Sequence, residues 1–443
     1  MDKNNRSDRR STKQKPTNAL VKGIEGFIIT KQAFQDGQEG NLDANVQRHK
    51  PTALQVLDLP KRYTVYEPML LLGPSFPTQT PAWATYYSAL TTADKHLMFD
   101  TIARTFCQAG HKVTHIALNA PIQSSLGGVD AKAKTVENVM RAPTNLQPLY
   151  GDFGPDSLLD SGSSLPTPAD FDAAFWVETS QLGGIKQIWA PRWTMFSRGN
   201  ISEKARVLGF IQHNSSPFPG LSVEELEHDI ERTDVVDFYV GIGYFALPYL
   251  KKGVRRVFGW EINGWSVEGL RRGCESNGIG CEVVEVPDAA SEEDQQSVVG
   301  YVRDVVREKP EVRCIVFRGD NSFTGAIMSK VRQALEHTEA SLNVRHCNLG
   351  LLPTSQASWD DASRVIDPLR GGWLHVHENA DVGAIEQKKQ YVVDTIADLV
   401  RRDKGAGWQV SCEHVEMVKT YAPGVGHFVF DARLWRVRWP APL

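Results

Sequence analysis

The sequence predicts an α/β fold built on a mostly parallel sheet, and three observations lead to this prediction. From about residue 185 onward, short apolar strands alternate with helical stretches, which is typical of parallel strands joined by crossover helices. Near the end of the chain, two long apolar stretches flank "APGVG" (422–426), which indicates an antiparallel hairpin. Between 235 and 250 an apolar strand breaks at two glycines and resumes as a helix. A smaller α/β module is expected before this sheet.

The elements of the C-terminal part are predicted from the period of their apolar residues. The expected strands are "DVVDFYVG", "RRVFGWEI", "VRCIVFRGD", "VRHCNLGL" and "GGWLHVHENA". The expected helices are "VEELEHDIERT", "GWSVEGLRRGCESNG", "GAIMSKVRQALEH" and "EQKKQYVVDTIADLVRRDK". The hairpin is expected from "CEHVEMVKTY" and "HFVFDARLWRV". Together these elements predict a parallel, doubly wound sheet closed by an antiparallel hairpin.

The N-terminal part is predicted to be a separate mixed module. Its expected strands are "GIEGFIIT", "YEPMLLLG" and "HKVTHIALNA", and "TTADKHLMFDTIARTFCQAG" is expected to be a helix that ends at its glycine. The segment from about 123 to 170 is rich in Gly, Pro, Ser and Asp and is expected to be loop or linker. The predicted division is a disordered basic tail (1–20), an N-terminal module facing the substrate (21–184) and a catalytic domain (185–443).

Composition excludes several classes of protein. The chain has 443 residues, 41% hydrophobic residues and a formal net charge of -4, so any nucleic acid must be bound by a local basic face. No apolar run reaches the ~20 residues that span a bilayer, and the basic start lacks the apolar core of a secretory signal. We therefore expect a cytoplasmic protein without a membrane partner. Six cysteines without C-x-x-C spacing predict reduced thiols and no metal site: Cys107, Cys274, Cys281, Cys314, Cys347 and Cys412.

The stretch "VVDFYVGIGYFALPYL" (235–250) predicts a nucleotide-binding turn. Gly241, Gly243 and Ala246 fit the relaxed G-x-G-x-x-G/A pattern, in which glycine lets the backbone approach a cofactor closely. Glu261 follows 20 residues later, where a carboxylate can accept the ribose hydroxyls. These features fit NAD and S-adenosylmethionine (SAM) equally well. Asp237 favours SAM, because a carboxylate there would repel a pyrophosphate but could receive the cationic end of SAM. With the hairpin, this predicts a Rossmann-like class I SAM-binding domain.

Several longer motifs carry a resemblance to a known family. They are "WTMFSRGNISEKARVL" (193–208), "FRGDN" (317–321), "NLGLLPTS" (348–355), "GGWLHVHENADV" (371–382) and "VKTYAPGVGHFVFDARL" (418–434). From about residue 65 onward the chain resembles the fungal-type tRNA wybutosine-synthesising aminocarboxypropyltransferases. These enzymes are related to the tRNA guanosine methyltransferases that act beside the anticodon. The resemblance implies transfer of the 3-amino-3-carboxypropyl group of SAM to the 4-demethylwyosine base 3′ of the anticodon of phenylalanine tRNA.

The resemblance also implies roles for individual residues. Ser197 and Lys204 are expected to contact SAM, Glu261 the ribose, and Asp320 with Asn321 the adenine. An acidic, helix-prone stretch at 287–311 is longer than expected, which leaves Asp288 as an alternative to Asp320. The expected substrate-binding residues are Asn348 and Pro353 for the base and Arg192, Arg198 and Arg206 for phosphates. Weaker candidates for phosphates are Arg255, Arg256, Arg271 and Arg272.

Three other functions remain open at this stage. The first is a SAM-dependent tRNA guanosine N1-methyltransferase, although "NLGLLPTS" lacks the adjacent Asn-Pro pair with which those enzymes orient a base. The second is a non-catalytic SAM- or RNA-binding scaffold, and the third an NAD oxidoreductase. No catalytic residue is assigned. His377 and Glu378 are expected at a strand end facing the cleft, where either could remove the displaced proton, but a structural hydrogen-bonding role is favoured.

Overall fold

A computed structural model of the chain describes residues 18–38, 55–119, 125–126, 136–137, 146–155, 166–196, 199–210, 218–222, 225 and 229–437. The chain divides into two compact units. The first comprises Met1–Gln123 with Pro143–Phe153, and the second comprises Ser124–Ala142 with Gly154–Leu443. No helix within the described ranges is long and apolar enough to cross a bilayer.

The helices and strands follow in chain order. The helices are α1 (Ala19–Gln38), α2 (Pro81–Ser88), α3 (Thr92–Gln108), α4 (Pro168–Ala173), α5 (Ile201–Leu208), α6 (Ala246–Lys252), α7 (Gly264–Ser276), α8 (Glu292–Glu308), α9 (Thr324–Ala334), α10 (Trp359–Val365) and α11 (Ile385–Lys404). The strands are β1 (Tyr63–Tyr66), β2 (Met69–Leu72), β3 (His115–Leu118), β4 (Ser125–Leu126), β5 (Val136–Glu137), β6 (Gln147–Tyr150), β7 (Val177–Ser180), β8 (Lys186–Trp189), β9 (Asp234–Asp237), β10 (Arg256–Glu261), β11 (Gly280–Glu285), β12 (Val312–Arg318), β13 (Val344–Leu349), β14 (Gly372–Asp381), β15 (Trp408–Ala422) and β16 (Val425–Arg436).

The first unit contains a four-stranded sheet in the order β1-β2-β3-β6. The expected strand "GIEGFIIT" is wrong, because these residues lie within α1. Leu20, Ile24 and Phe27 are fully buried, and their spacing of four and three residues is that of one helix face. Gly23 lets α1 approach α3 closely, since a Cβ there would lie 2.8 Å from the Cα of Ile102. The other predicted elements of this unit are found, with "YEPMLLLG" divided between β1 and β2.

The second unit is built on an eight-stranded sheet in the order β11-β12-β10-β9-β13-β14-β16-β15. The first six strands in this order pair in parallel with their neighbours. β16 pairs antiparallel with β14 and with β15, so the C-terminal hairpin closes the sheet. The predicted α/β fold with this closing hairpin is confirmed. Five residues of the expected helix at 223–233 lie outside the described residues. At its end the structure has only the short 3-10 turn Ile230–Arg232, so the expected helix does not continue to residue 233.

The long acidic stretch at 287–311 connects two strands at one edge of this sheet. Its helical part is α8, which connects β11 to β12. β11 was not expected as a strand, and it lies outside β12 as an additional strand at the edge of the sheet. β12 is therefore the neighbour of β10. One further strand pair was also not expected: β7 and β8 pair antiparallel across the predicted boundary at residue 184.

Two apolar layers cover this sheet. Val236, Phe258 and Ile315 belong to the core cluster on one face, and Val235, Val257 and Val316 belong to the cluster on the other. All six side chains are fully buried, as expected for parallel strands covered by helices on both faces. β9 lies inside the sheet, between β10 and β13. Ligands in such folds bind outside the carboxyl ends of the central strands, so the residues after β9 are the place to look for a site.

Candidate functional site

A glycine-rich loop follows β9 and shapes the candidate site. Gly241 and Gly243 have φ angles of 53° and 84°, a region that side chains other than glycine rarely adopt. A Cβ on Gly243 would lie 2.6 Å from Cδ1 of Leu270 on α7. The loop therefore packs directly on that helix. Close packing within the protein therefore requires glycine at position 243, whereas the sequence pattern predicts that the backbone approaches a cofactor there.

Glu261 stands at the end of β10, beside this loop. Its Oε2 accepts a hydrogen bond from the backbone N–H of Gly241 at 3.1 Å, and its Oε1 accepts one from that of Asn263 at 2.8 Å. The residue is only partly buried, and a carboxylate oxygen can accept more than one hydrogen bond. The position fits the predicted ribose contact, because the carboxylate is held at the mouth of the glycine loop.

Asp237, the last residue of β9, is buried. Its Oδ1 accepts hydrogen bonds from the side-chain amide of Asn348 at 3.1 Å and from the backbone N–H of Tyr239 at 3.2 Å. Oδ2 is buried and has no hydrogen-bond partner among the described residues. Burial raises the pKa of Asp237 to about 7. An unpaired buried carboxylate oxygen is costly, and a cationic ligand at the end of β9 would satisfy it.

Helix α5 brings Lys204 to the same loop. The lysine is buried, its Nζ donates to Oε1 of Gln187 at 3.1 Å, and it lies 5.1 Å from the ring centroid of Tyr244. Burial lowers the pKa of Lys204 to about 8. The hydroxyl of Tyr244 in turn donates to the backbone oxygen of Met195 at 2.6 Å. Ser197 and Arg198, two other predicted contacts, lie outside the described residues.

Asp320 and Asn321 follow β12. The side-chain amide of Asn321 donates to the backbone oxygen of Phe238 at 2.8 Å, which places Asn321 against the start of the glycine loop. Asp320 is exposed, and its Oδ1 accepts from the backbone N–H of Ser322 at 2.7 Å. β12 is adjacent to β10, whereas Asp288 follows the edge strand β11. The strand order therefore favours Asp320 over Asp288 for the predicted adenine contact.

Asn348 lies on β13, the other neighbour of β9, and Pro353 lies in the loop that follows this strand. Asn348 is buried and uses its amide nitrogen to hold Asp237, so the contact seen here orients the carboxylate. The backbone oxygen of Pro353 accepts from the N–H of Asn379 on β14 at 2.8 Å. The loop after β13 is thus fixed against β14. The predicted contacts of these two residues with a base stay predictions.

The structure corrects the set of phosphate-binding arginines. Arg206 is buried between two carboxylates, with its guanidinium 2.6 Å from Oε1 of Glu203 and 2.7 Å from Oδ2 of Asp431, so it is not available to a phosphate. Arg192 is also mostly buried, and it donates to the backbone oxygen of Gly154 at 3.0 Å. The sequence motif could not show this, because Asp431 lies 225 residues from Arg206 in the chain.

The four weaker arginine candidates all form ion pairs. Arg255 and Arg256 contact Asp234, which is the first residue of β9 and therefore lies at the strand end opposite to the glycine loop. Arg271 and Arg272 contact Glu268 on their own helix. These contacts give the four arginines structural partners and remove the first two from the candidate site.

The expectation that His377 and Glu378 lie at a strand end is wrong. Both are buried within β14, which continues to Asp381. Oε1 of Glu378 accepts from the hydroxyl of Thr354 and the N–H of Ser355, each at 2.8 Å, and Lys388 lies 2.8 Å from Oε2. A ring nitrogen of His377 lies 2.9 Å from one of His427. These contacts agree with the structural role that the sequence analysis favoured.

A buried chain of polar side chains was missed by the sequence analysis. It connects the ion pair of Arg206 and Asp431 to two histidines. Oδ1 of Asp431 lies 2.7 Å from Nδ1 of His375, and the other ring nitrogen of His375 lies 3.0 Å from Nδ1 of His346. The signal was present, because single polar residues interrupt apolar strands in "VRHCNLGL" and "GGWLHVHENA". The chain of contacts ties α5, which carries Lys204, to β13, β14 and β16.

Fold and site together define the class of the protein. A parallel sheet closed by an antiparallel hairpin, with a glycine loop, Asp237 and Glu261 at the carboxyl ends of β9 and β10, is the arrangement of the Rossmann-like SAM-dependent transferases. Asp237 argues against a dinucleotide, because its carboxylate would face a pyrophosphate.

Comparison with known proteins identifies the family. No family model matches the chain. A relative from Schizosaccharomyces pombe named tRNA wybutosine-synthesizing protein 2 is 34% identical over 385 residues, covering 86% of this chain and 75% of the relative. The protein of the same name from Saccharomyces cerevisiae is 32% identical over 404 residues, covering 84% and 74%. The chain belongs to the tRNA wybutosine-synthesizing protein 2 family, and the predicted resemblance is confirmed.

A solved structure shows a more distant likeness. The crystal structure of P. horikoshii TYW2 in complex with MeSAdo is 16% identical, with a TM-score of 0.48, and the match covers 92% of this chain and 100% of that chain.

Proposed function

We propose that this chain transfers the 3-amino-3-carboxypropyl group of SAM to the 4-demethylwyosine base 3′ of the anticodon of phenylalanine tRNA. Membership of the family over 86% of the chain is the observation that carries this proposal. The site supports it, because Asp237, Lys204 and Glu261 surround the glycine loop with charges of both signs. A zwitterionic, cationic nucleoside such as SAM matches this distribution.

The proposed reaction depends on how the two substrates are positioned and needs no covalent enzyme intermediate. The acceptor carbon of the base forms a bond to the γ-carbon of the aminocarboxypropyl group, and the bond between the γ-carbon and sulfur breaks. The electron pair of the broken bond remains on sulfur, which leaves as the neutral thioether 5′-methylthioadenosine. The proton of the acceptor carbon passes to a base or to water. Because the sulfonium is a good leaving group, alignment of the two carbons at about 3–3.5 Å supplies most of the acceleration.

The residues of the site have distinct roles in this proposal. Glu261 holds the ribose, Asn321 and Asp320 border the adenine, and the unpaired oxygen of Asp237 faces the cationic end of the co-substrate. Lys204 is the candidate partner for an anionic or polar group of SAM. Asn348 fixes the carboxylate of Asp237 through its 3.1 Å hydrogen bond. The first unit is the candidate for further contacts with tRNA, and the cytoplasmic location stays a prediction.

Two labelled forms of SAM test the proposal. The chain is incubated with tRNA that carries the precursor base, once with SAM labelled in the methyl group and once with SAM labelled in the carboxyl carbon. We expect label in tRNA from the carboxyl form only. Label from the methyl form only would replace this proposal with a tRNA guanosine N1-methyltransferase. SAM binding without any transfer would favour a non-catalytic scaffold.

Glu261→Gln provides the matched variant for this assay. Loss of a charge-assisted hydrogen bond to ribose should weaken SAM binding by about 1.5–3 kcal/mol. Glu285→Gln is the control, because Glu285 ends the edge strand β11 and pairs there with Arg318. An unchanged dissociation constant for Glu261→Gln would remove Glu261 from the site.

A further inference from the structure

Three cysteines that are separated in the sequence meet in the second unit. Cys274 lies near the end of α7, Cys281 on the edge strand β11 and Cys314 on β12, and their Sγ atoms all lie within 4.8 Å of one another. Cys281 and Cys314 are direct partners in the parallel pairing of the two strands. The edge strand β11 therefore completes this cluster.

The spacing of the thiols is close to that of ligands around one metal ion. A zinc–sulfur bond of about 2.3 Å in a tetrahedral site places two sulfurs about 3.8 Å apart. The observed limit of 4.8 Å exceeds this by about 1 Å, which small rotations of the three side chains can close. Three thiolates supply soft ligands, and soft ligands select ions such as Zn²⁺ and Cu⁺ over Mg²⁺ or Ca²⁺.

The surroundings of the cluster favour a dry site with one accessible side. Cys274 and Cys314 are fully buried and pack in an apolar cluster with Val257, Leu270 and Val316. Cys281 is only partly buried and is thus the route by which an ion would enter. No His, Asp or Glu joins the three sulfurs as a fourth ligand within the part of the chain that the structure describes.

Metal binding by the cluster would change the protonation of its thiols. A thiolate is the form that binds a metal. An ion held by the three sulfurs would therefore displace their protons, and metal binding should weaken as the pH falls.

We propose that Cys274, Cys281 and Cys314 form a binding site for one thiophilic d¹⁰ cation, Zn²⁺ or Cu⁺, with three sulfur ligands and one open position. The ion connects the edge strand β11 to β12 and α7. The sequence predicts no metal site, because its cysteines lack C-x-x-C spacing and the pairing of β11 with β12 cannot be deduced from it. This site is separate from the glycine loop, so the proposal does not depend on the proposed transfer reaction.

Metal titration of the full chain tests the proposal. The protein is purified with a reductant, stripped with a chelator and titrated with Co²⁺ as a coloured probe for Zn²⁺, and with Cu⁺ in a separate anaerobic arm. We expect one equivalent of Co²⁺ with a sulfur-to-metal charge-transfer band that Zn²⁺ abolishes, or one equivalent of Cu⁺ that Zn²⁺ does not displace. The first result assigns the site to Zn²⁺ and the second to Cu⁺.

Single variants attribute the signal to the cluster. Loss of outer partners of a metal ligand typically weakens metal binding about 10–100-fold, so we expect Cys281→Ser, which removes a ligand itself, to weaken it more than about 100-fold. Cys347→Ser is the matched control, because Cys347 is a buried thiol on β13 that contacts the backbone oxygen of Ala362. It should leave metal binding unchanged. Retained SAM binding by Cys281→Ser would show that this variant is folded.

A second readout uses the unmodified chain. Bound Zn²⁺ or Cu⁺ should protect Cys281 from alkylation, as measured by peptide mass spectrometry, while leaving the exposed Cys107 reactive. If none of the three ions binds to the full chain, or if Cys347→Ser weakens binding as much as Cys281→Ser, the proposal is overturned. The three cysteines then serve apolar packing only.

Discussion

The ionisation of Asp237 makes binding of SAM depend on pH. Burial raises the pKa of this carboxyl group from 3.8 to about 7, and only the ionised form can attract the cationic end of the co-substrate. About one thirtieth of the Asp237 carboxyl groups are ionised at pH 5.5 and about half at pH 7. The dissociation constant of SAM should therefore fall about 15-fold between pH 5.5 and pH 7, which corresponds to about 1.6 kcal/mol of binding free energy. The sulfonium and ammonium of SAM both remain charged in this window.

In the protein without ligand, the stability of the fold should change with pH in the opposite direction to SAM affinity. A carboxyl group whose pKa is raised by folding stabilises the folded state below its unfolded pKa, and this contribution is lost as the pH rises through about 7. The free energy of unfolding should therefore fall over the same interval in which SAM binding improves. SAM binding should release a proton from Asp237, which calorimetry in buffers of different ionisation enthalpy would detect.

Isothermal titration calorimetry at pH 5.5 and pH 7 measures this effect. The carboxyl group of Glu203 also has its pKa raised to about 7 by burial, so a control must separate the two groups. Asp237→Asn removes the titrating group while keeping its shape, and its dissociation constant for SAM should be the same at both pH values. Adenosine, which has neither cation, should bind the unmodified chain without pH dependence. Equal pH dependence of SAM binding in the chain with and without Asp237→Asn would refute the reasoning.

Three substitutions test other parts of the site. Gly243→Ala should lower the urea midpoint and weaken SAM binding, because its clash and positive φ reduce the free energy of unfolding by about 2–3 kcal/mol. Gly278→Ala is the control: Gly278 has a similar φ without a close neighbour, and its substitution should reduce the free energy of unfolding by about 1–2 kcal/mol. Lys204→Met should raise the melting temperature and weaken SAM binding. Burial lowers the pKa of Lys204 from 10.5 to about 8, so keeping this lysine charged destabilises the folded protein by about 3 kcal/mol. A lower melting temperature would contradict this. Arg206→Met should cost about 3–5 kcal/mol in denaturation experiments, because two buried carboxylates lose their counter-charge. Arg401→Met, which removes an exposed ion pair, should cost less than about 1 kcal/mol, and equal costs for the two would be inconsistent with the buried network.

The sequence predicted the sheet well because its signals are local. Short apolar strands, intervening helical periods and the turn at 422–426 each depend on neighbouring residues, and the structure contains the predicted strands of the sheet, the hairpin and the predicted helices other than that at 223–233. The interval between Gly241 and Glu261 likewise reflects one strand–helix–strand unit. Where a local pattern was ambiguous, the prediction failed. Residues 23–30 were expected to be a strand, and only the buried face of Leu20, Ile24 and Phe27 shows the helix.

Contacts between distant segments could not be predicted in this way. Arg206 was assigned to phosphate because it lies in a basic motif, yet its partner Asp431 is on β16, the last strand of the chain. The cysteine cluster required knowledge that β11 pairs with β12. Asn348 was assigned to the base, whereas its amide holds Asp237 across the pairing of β13 with β9. In each case strand order decided which side chains meet, and strand order is not a local property.

The spent co-substrate offers the most direct test of the proposed reaction. In a single turnover with tRNA carrying the precursor base, chromatography of the small-molecule fraction identifies what remains of SAM. The account predicts 5′-methylthioadenosine in an amount equal to the modified tRNA. S-adenosylhomocysteine in its place would mean that the methyl group was transferred, and would contradict the account.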